Sequence, residues 1–170
     1  MRSPRRGSMI GETKEEAVNK ILVATDGSLS ALQAVELGLE LAAEQDTKLV
    51  FVHVTPRFEV LPFPVTGIGS APVKVAHKPD EQDLKPLNEA VQLAEERDLP
   101  SESRLLVGDP AKKIVELADS IEADLIVVGS HGHGAISGAL LGSVSRGVLH
   151  RARRPVLIVR ETRNPVEAVA

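Results

Sequence analysis

The chain has 170 residues and 42% hydrophobic content, which suits one globular domain, and its 20 Lys and Arg against 24 Asp and Glu leave a net charge of −4, unlike a dedicated nucleic-acid binder. It has no cysteine, which excludes disulfides, thiol catalysis and Cys-ligated zinc and is compatible with a reducing cytoplasmic setting. Tyr and Trp are absent and Phe occurs three times, so an aromatic platform for stacking single-stranded bases is missing. No apolar run approaches the roughly 18 residues of a membrane span.

Residues 1–19 are basic without an apolar core and read as a disordered extension rather than a secretory signal. Lys20 to Thr25 predicts a first strand, followed by an Asp26-Gly27-Ser28 turn. Ser28 or Ser30 is placed to cap a helix with Leu32, Val35, Leu39 and Ala42 on one face. Lys48 to Thr55 is apolar at nearly every position, the pattern of a second strand buried on both faces, and His53 within it reads as a satisfied core histidine. Residues 56–79 break the rhythm. Pro56, Pro62, Pro64, Pro72 and Pro79, with Gly67 and Gly69, predict a long irregular connection, a lid or a disordered segment.

Helical spacing resumes with Leu84, Leu87, Val91 and Ala94, and Ser103 to Val107 is the third strand. Asp109-Pro110, a cap and then a proline, opens a helix whose apolar face is Ile114, Leu117, Ala118 and Ile121. Leu125 to Val128 is the fourth strand, Gly129 to Gly142 a glycine-rich loop, and Ser143 to Ala152 a short helix presenting Val144, Val148 and Leu149. Val156 to Val159 is the fifth strand, and residues 161–170 read as a loose tail, leaving 20–160 as the domain.

Strands alternating with helices argue for a parallel sheet covered on both faces. Ligands bind such sheets beyond the carboxyl ends of the strands, where the strand order reverses. The Thr25-Asp26-Gly27-Ser28 turn and the Gly129–Gly142 loop both leave carboxyl ends. They share one site if the first and fourth strands are neighbours.

The loop reads Gly129-Ser130-His131-Gly132, nine residues, then Gly142-Ser143. Missing Cβ atoms let a ligand approach the backbone, the free amides at a helix start suit a phosphate, and the Ser143 and Ser145 hydroxyls are further donors. No Gly-Lys-Ser/Thr, G-x-G-x-x-G or G-x-S-x-G pattern occurs at these junctions. Asp26 reads as a ligand for ribose or phosphate-bound Mg²⁺, or as an Asx-turn residue. His131 and His133 make a poor zinc site, and a solvent-facing His131 near phosphate is expected instead. His150, Arg151, Arg153 and Arg154 gather at a helix end, where cations complement the dipole. A last strand at a sheet edge invites pairing with a second copy.

G-x2-G-x9-G-[ST] after a V-V-G strand resembles the nucleotide-binding branch of the universal stress protein family. So do I-L-V-A-T-D-G-S, V-H-V, V-G-D-P, D-L-I-V-V-G-S-H-G, L-L-G-S-V-S and P-V-L-I-V, which span about residues 19–160. The resemblance implies a three-layer, Rossmann-like α/β sandwich with a five-stranded parallel sheet in the order 3-2-1-4-5. It implies ATP, with Mg²⁺, as ligand. Gly129, Gly132, Gly142 and Ser143 would contact ribose and phosphates, and the Val144 amide would complete the cradle. Asp26 matches the acidic position beside the nucleotide, and Val54 the position whose backbone reads adenine. Ala24, Thr25, Val128, His131 and Ser145 complete the expected site. A homodimer through Pro155 to Arg160, a cytoplasmic location and a stress-linked nucleotide switch follow from the same resemblance, with no nucleic-acid or membrane partner. A slow ATPase on the same site and a nucleotide-independent dimeric interaction protein are the alternatives. Against the ATPase stand a single well-placed carboxylate, Asp26, and a loop without Lys or Arg, although Arg146 follows one turn into the helix.

Overall fold

Five short runs of Val, Ile and Leu form the centre of the molecule. The computed structural model of the chain describes residues 18–65, 69–132 and 141–161. Its elements are β1 (Lys20–Ala24), α1 (Leu29–Gln45), β2 (Lys48–Thr55), β3 (Phe58–Val65), β4 (Gly69–Ala76), α2 (Glu81–Glu95), β5 (Ser101–Val107), α3 (Pro110–Ser120), β6 (Leu125–Gly129), α4 (Ser143–Arg151) and β7 (Val156–Val159). Five strands make a parallel sheet in the order β5-β2-β1-β6-β7. Counting only these strands in chain order, this is the expected 3-2-1-4-5 arrangement. β1 lies against β6, with Leu22 opposite Ile126 and Ala24 opposite Val128, so their carboxyl ends emerge side by side.

Successive strand residues point to opposite faces and feed two cores. Ile21, Val23, Leu49, Phe51 and Val127 pack with Val35 and Leu39 of α1 and with Leu87 and Ala94 of α2. Leu22, Val50, Val52, Ile126 and Val128 pack with Ile114 and Ala118 of α3 and Val148 of α4. Two expected core residues lie outside these layers: Leu84 is 40% exposed and Leu149 52% exposed. Leu84 sits in the capped first turn of α2, ahead of its buried Leu87, Ala90 and Ala94. Leu149 is rotated about 100° from Val148, off the buried Ser145–Val148 line. Asp109 caps α3 as its sequence implies, accepting the Lys112 amide at 2.8 Å with Pro110 in the first position. No helix among the described residues is long and apolar enough to cross a membrane.

The fold begins earlier than expected. The Val18 carbonyl accepts the Thr47 hydroxyl (2.6 Å), and the Asn19 and Lys20 amides donate to Asp124 Oδ2 (2.8 and 3.1 Å). Residues 18 and 19 therefore belong to the domain. The rest of the expected extension and tail, 1–17 and 162–170, lies outside the described residues.

The expected irregular connection at 56–79 is instead an antiparallel hairpin of β3 and β4, with Phe58 opposite Ala76 and Pro62 opposite Pro72. Residues 66–68 lie outside the described residues. The His77 amide donates to Arg57 O at 3.0 Å, which makes 57 and 77 a hydrogen-bonded pair. Such pairs alternate along an antiparallel ladder. Pro62, Pro64 and Pro72 therefore all occupy non-hydrogen-bonded positions, where an N–H would point away from the partner strand. Proline removes no ladder bond there, and it strips donors from the outer edges of the hairpin.

The base of the hairpin is fastened to α2. His77 Nε2 lies 2.7 Å from Asp83 Oδ2, which also accepts the Asp80 amide at 2.9 Å. Asp80 in turn accepts the Gln82 and Asp83 amides (2.8 and 3.3 Å), completing a capping box. Burial pushes the Asp83 carboxyl up, but the Asp80 amide and the His77 ring together outweigh it and hold the group below its ordinary value. A carboxylate with a lowered folded-state value contributes stability above the unfolded value of ~3.9, and that contribution disappears as pH falls through the lower folded value. Asp83→Asn should therefore flatten this part of the acid-unfolding curve. Asp80→Ala should lower stability by about 1 kcal/mol near neutral pH, the loss of a helix cap. Thermal melts across the acid range check both.

Candidate functional site

Where β1 and β6 end side by side, a cavity of about 310 Å³ opens, within the usual range for small-molecule sites. β1 and its turn supply Ala24, Thr25 and Asp26, and β2 supplies Val54. Val128, Gly129, His131 and Gly132 come from the end of β6, and Gly142, Ser143, Val144 and Ser145 from the start of α4. The structure thus gathers every residue singled out as a binding position onto one cavity. Five further residues line it that the sequence did not suggest: Ala31, Val52, His53, Pro110 and Ile114. Val52 and Ile114 appear in sequence only as periodic core positions. His53 is satisfied, as expected of a core histidine, because its Nδ1 donates to the Thr25 carbonyl at 2.8 Å. It nevertheless borders the cavity.

The cavity has two unlike ends. Ala24, Val52, Val54, Val128 and Ile114 belong to the core beneath α3 and α4 and form an apolar slot. Thr25, Asp26, the glycine loop and the first turn of α4 form a polar end.

The glycines at the polar end serve the protein's own packing. A Cβ on Gly129 would lie 2.6 Å from Ser30 Oγ and 2.7 Å from the Ser30 carbonyl carbon. Its missing side chain admits the first turn of α1, rather than a ligand as expected. A Cβ on Gly132 would lie 2.5 Å from Asp26 Oδ2, so this glycine leaves room for the Asp26 carboxylate beside the β6 loop.

Serine hydroxyls then tie the loops down. Ser30 Oγ donates to His131 O and accepts the His131 amide (3.2 Å), and Ser28 Oγ donates to His131 O (3.3 Å). Neither side chain caps α1, contrary to the sequence reading: no side-chain cap bond forms at Ser28. Ser145, 3% exposed, donates to Gly129 O at 2.7 Å, with Ser130 O also within reach at 3.1 Å. Its proton is committed to the end of β6, which corrects the expectation of a hydroxyl donor to the ligand. The Gly142 amide donates to Ser130 O at 2.8 Å.

The anion-binding groups are therefore main-chain amides. The first helical bond of α4 runs from the Arg146 amide to Gly142 O at 3.0 Å, and Gly142 provides no side-chain cap. The amides of Ser143, Val144 and Ser145 precede that bond, and residues 143–145 line the cavity. This leaves the positive end of a helix facing the polar half of the cavity. Asp26 combines both readings offered for it: Oδ1 accepts the Ser28 amide at 2.9 Å, an Asx turn, and the residue borders the cavity. His131 Nδ1 lies 3.0 Å from Ser130 Oγ, and His133 falls outside the described residues. At the far end of α4, Arg151 donates to Gly147 O (3.2 Å), the helix-end role expected of these cations, while Arg154 lies 3.7 Å from Asp119 in an ion pair the sequence did not suggest.

The universal stress protein family model matches residues 17–160, beginning one residue before the first described contact of the fold. Universal stress protein YxiE of Bacillus subtilis is 36% identical over 146 residues, 84% of this chain and 99% of that protein. A universal stress protein solved in complex with cAMP is 35% identical, with a TM-score of 0.61 over 84% of this chain and 97% of that one. A family protein from Arabidopsis thaliana solved with AMP bound shares the fold at 22% identity, with a TM-score of 0.58 over 89% and 97% of the two chains. With the family match covering most of its length, this chain belongs to the universal stress protein family.

Proposed function

We propose that this protein binds ATP, carried with Mg²⁺, in the cavity between the β1 turn and the β6 loop, and that occupancy operates a stress-linked conformational switch in the cytoplasm. The observation that carries this reading is the polarity of the cavity: an apolar slot at one end, and the uncapped start of α4 at the other. A purine fits the slot beside Val54 and Ile114, and phosphates fit the amides of Ser143, Val144 and Ser145. Asp26 is the one carboxylate among the described lining residues. Mg²⁺ commonly takes one or two carboxylates plus substrate phosphates, so a phosphate-borne ion fits beside Asp26. The relative solved with cAMP and the plant protein solved with AMP support an adenine nucleotide as the ligand class.

The same reading includes a homodimer through β7, an edge strand of the sheet. Pro155 O accepts the Ile126 amide of β6 (3.0 Å) and Val159 O the amide of Ser130, the residue after it (2.7 Å). By the alternation of a parallel ladder, Val156 and Ile158 then turn their N–H groups outward. No proline occupies these outward positions, unlike those of the β3–β4 hairpin.

Titration calorimetry should give saturable ATP binding, and ATP at a hundred times its dissociation constant should stabilise the fold by about 2.7 kcal/mol. A melting temperature indifferent to ATP would leave only the nucleotide-independent interaction protein. Ser143→Pro is the sharpest variant. Proline is tolerated at the first helical position, and Gly142, at φ −65° and ψ 163°, has the conformation a residue before proline requires. The change deletes one free amide and leaves the helix intact. ATP affinity should fall about tenfold while the melting temperature holds, the scale of one hydrogen bond to a charged group. Ile158→Pro should shift the protein toward monomer in analytical ultracentrifugation, because it removes an outward donor and no bond to β6.

A further inference from the structure

The open helix start at the polar end does not distinguish one phosphate from three, and a neighbouring side chain can. Arg146 is the fourth residue of α4, exposed, and one residue past the cavity-lining stretch Gly142–Ser145. It shares a helix face with Ser143, three residues earlier, and lies off the buried Ser145–Val148 line. Helical side chains lean back over the turn that precedes them, so a residue at position 146 is within reach of the first turn of α4, whose residues 143–145 line the cavity.

Two features mark this arginine. The first is its lack of partners. Across α3 and α4, two of the helices whose N-terminal turns border the cavity, Lys112 and Lys113 pair with Glu116 (3.7 and 2.9 Å) and Arg151 donates to Gly147 O. Among the described residues, Arg146 alone of the lysines and arginines on these two helices has no protein partner. The second is its sign. The start of a helix favours anions, yet the first turn of α4 has no acidic residue and is followed at once by a cation. That placement works against the helix unless an anion sits between the dipole and the guanidinium.

We propose that Arg146 reads the length of the phosphate chain: it holds the phosphates beyond the first, while the α4 amides hold the one nearest the ribose. The cavity then prefers ATP and ADP to AMP. A planar guanidinium with paired donors suits terminal phosphate oxygens. This rests on the cavity being an adenine-nucleotide site.

The test is calorimetric titration of the full chain with ATP, ADP and AMP in magnesium-free buffer, using wild type, Arg146→Gln and Arg146→Lys. Wild type should bind ATP about tenfold more tightly than AMP, one charge-assisted contact. Arg146→Gln should lose about that factor for ATP and less than about twofold for AMP, and Arg146→Lys should recover part of the loss. Ligand-free Arg146→Gln should melt no lower than wild type, because a cation opposing the dipole has been removed. Equal losses for ATP and AMP, no loss for either, or a lower melting temperature would overturn the role of Arg146 while leaving the nucleotide site intact. A wild-type protein that binds none of the three overturns the site itself, and this inference with it.

Discussion

The pairing of β1 with β6 is the constraint from which the site follows. These two strands are separated by most of the domain in sequence, yet they run parallel in register, Ala24 beside Val128. The chain leaves β1 into α1, on one face of the sheet, and leaves β6 toward α4, on the other. The two connections diverge at the same end of adjacent strands, and the space between them cannot be filled by either. That is the general reason for a crevice at the reversal point of a parallel sheet. Here it is lined below by valines of the sheet and closed at the side by the first turn of α4.

The two described ends of the glycine-and-serine loop, 129–132 and 141–145, are tied to neighbouring elements. Gly129 lets α1 sit against the end of β6, Gly132 leaves room for the Asp26 carboxylate, and Ser30 and Ser145 fasten the loop carbonyls from two helices. Groups that in sequence suggest direct ligand contact thus largely hold the main chain. What remains open at the cavity is the set of main-chain amides at the start of α4, Ser143 to Ser145.

The edges of the hairpin and the β7 edge of the main sheet differ in their outward donors. On the hairpin, Pro62, Pro64 and Pro72 occupy outward positions and remove the donors there. On β7, Val156 and Ile158 keep their outward amides. The hairpin edges have lost donors to proline and the β7 edge has not, a difference of backbone chemistry rather than of hydrophobicity.

Much of this was legible in the residues. The apolar runs marked all five strands of the main sheet, the Asp109-Pro110 pair marked the start of α3, and the spacing of three glycines before Ser143 marked the polar wall of the cavity. The hairpin was not, because proline reads as a breaker when taken alone, and only the register against β4 shows that Pro62, Pro64 and Pro72 fall where no ladder bond is needed. Ala31, His53, Pro110 and Ile114 were missed as cavity residues because their place depends on how helices and strand ends meet. The amino-acid sequence by itself determined the elements, their buried faces and the chemistry of the loop, since these depend on residues close together in the chain. Only the tertiary structure decided which hydroxyl meets which carbonyl, which glycine admits a helix, and which helix start stays open, because each of these contacts joins segments that only strand pairing brings together.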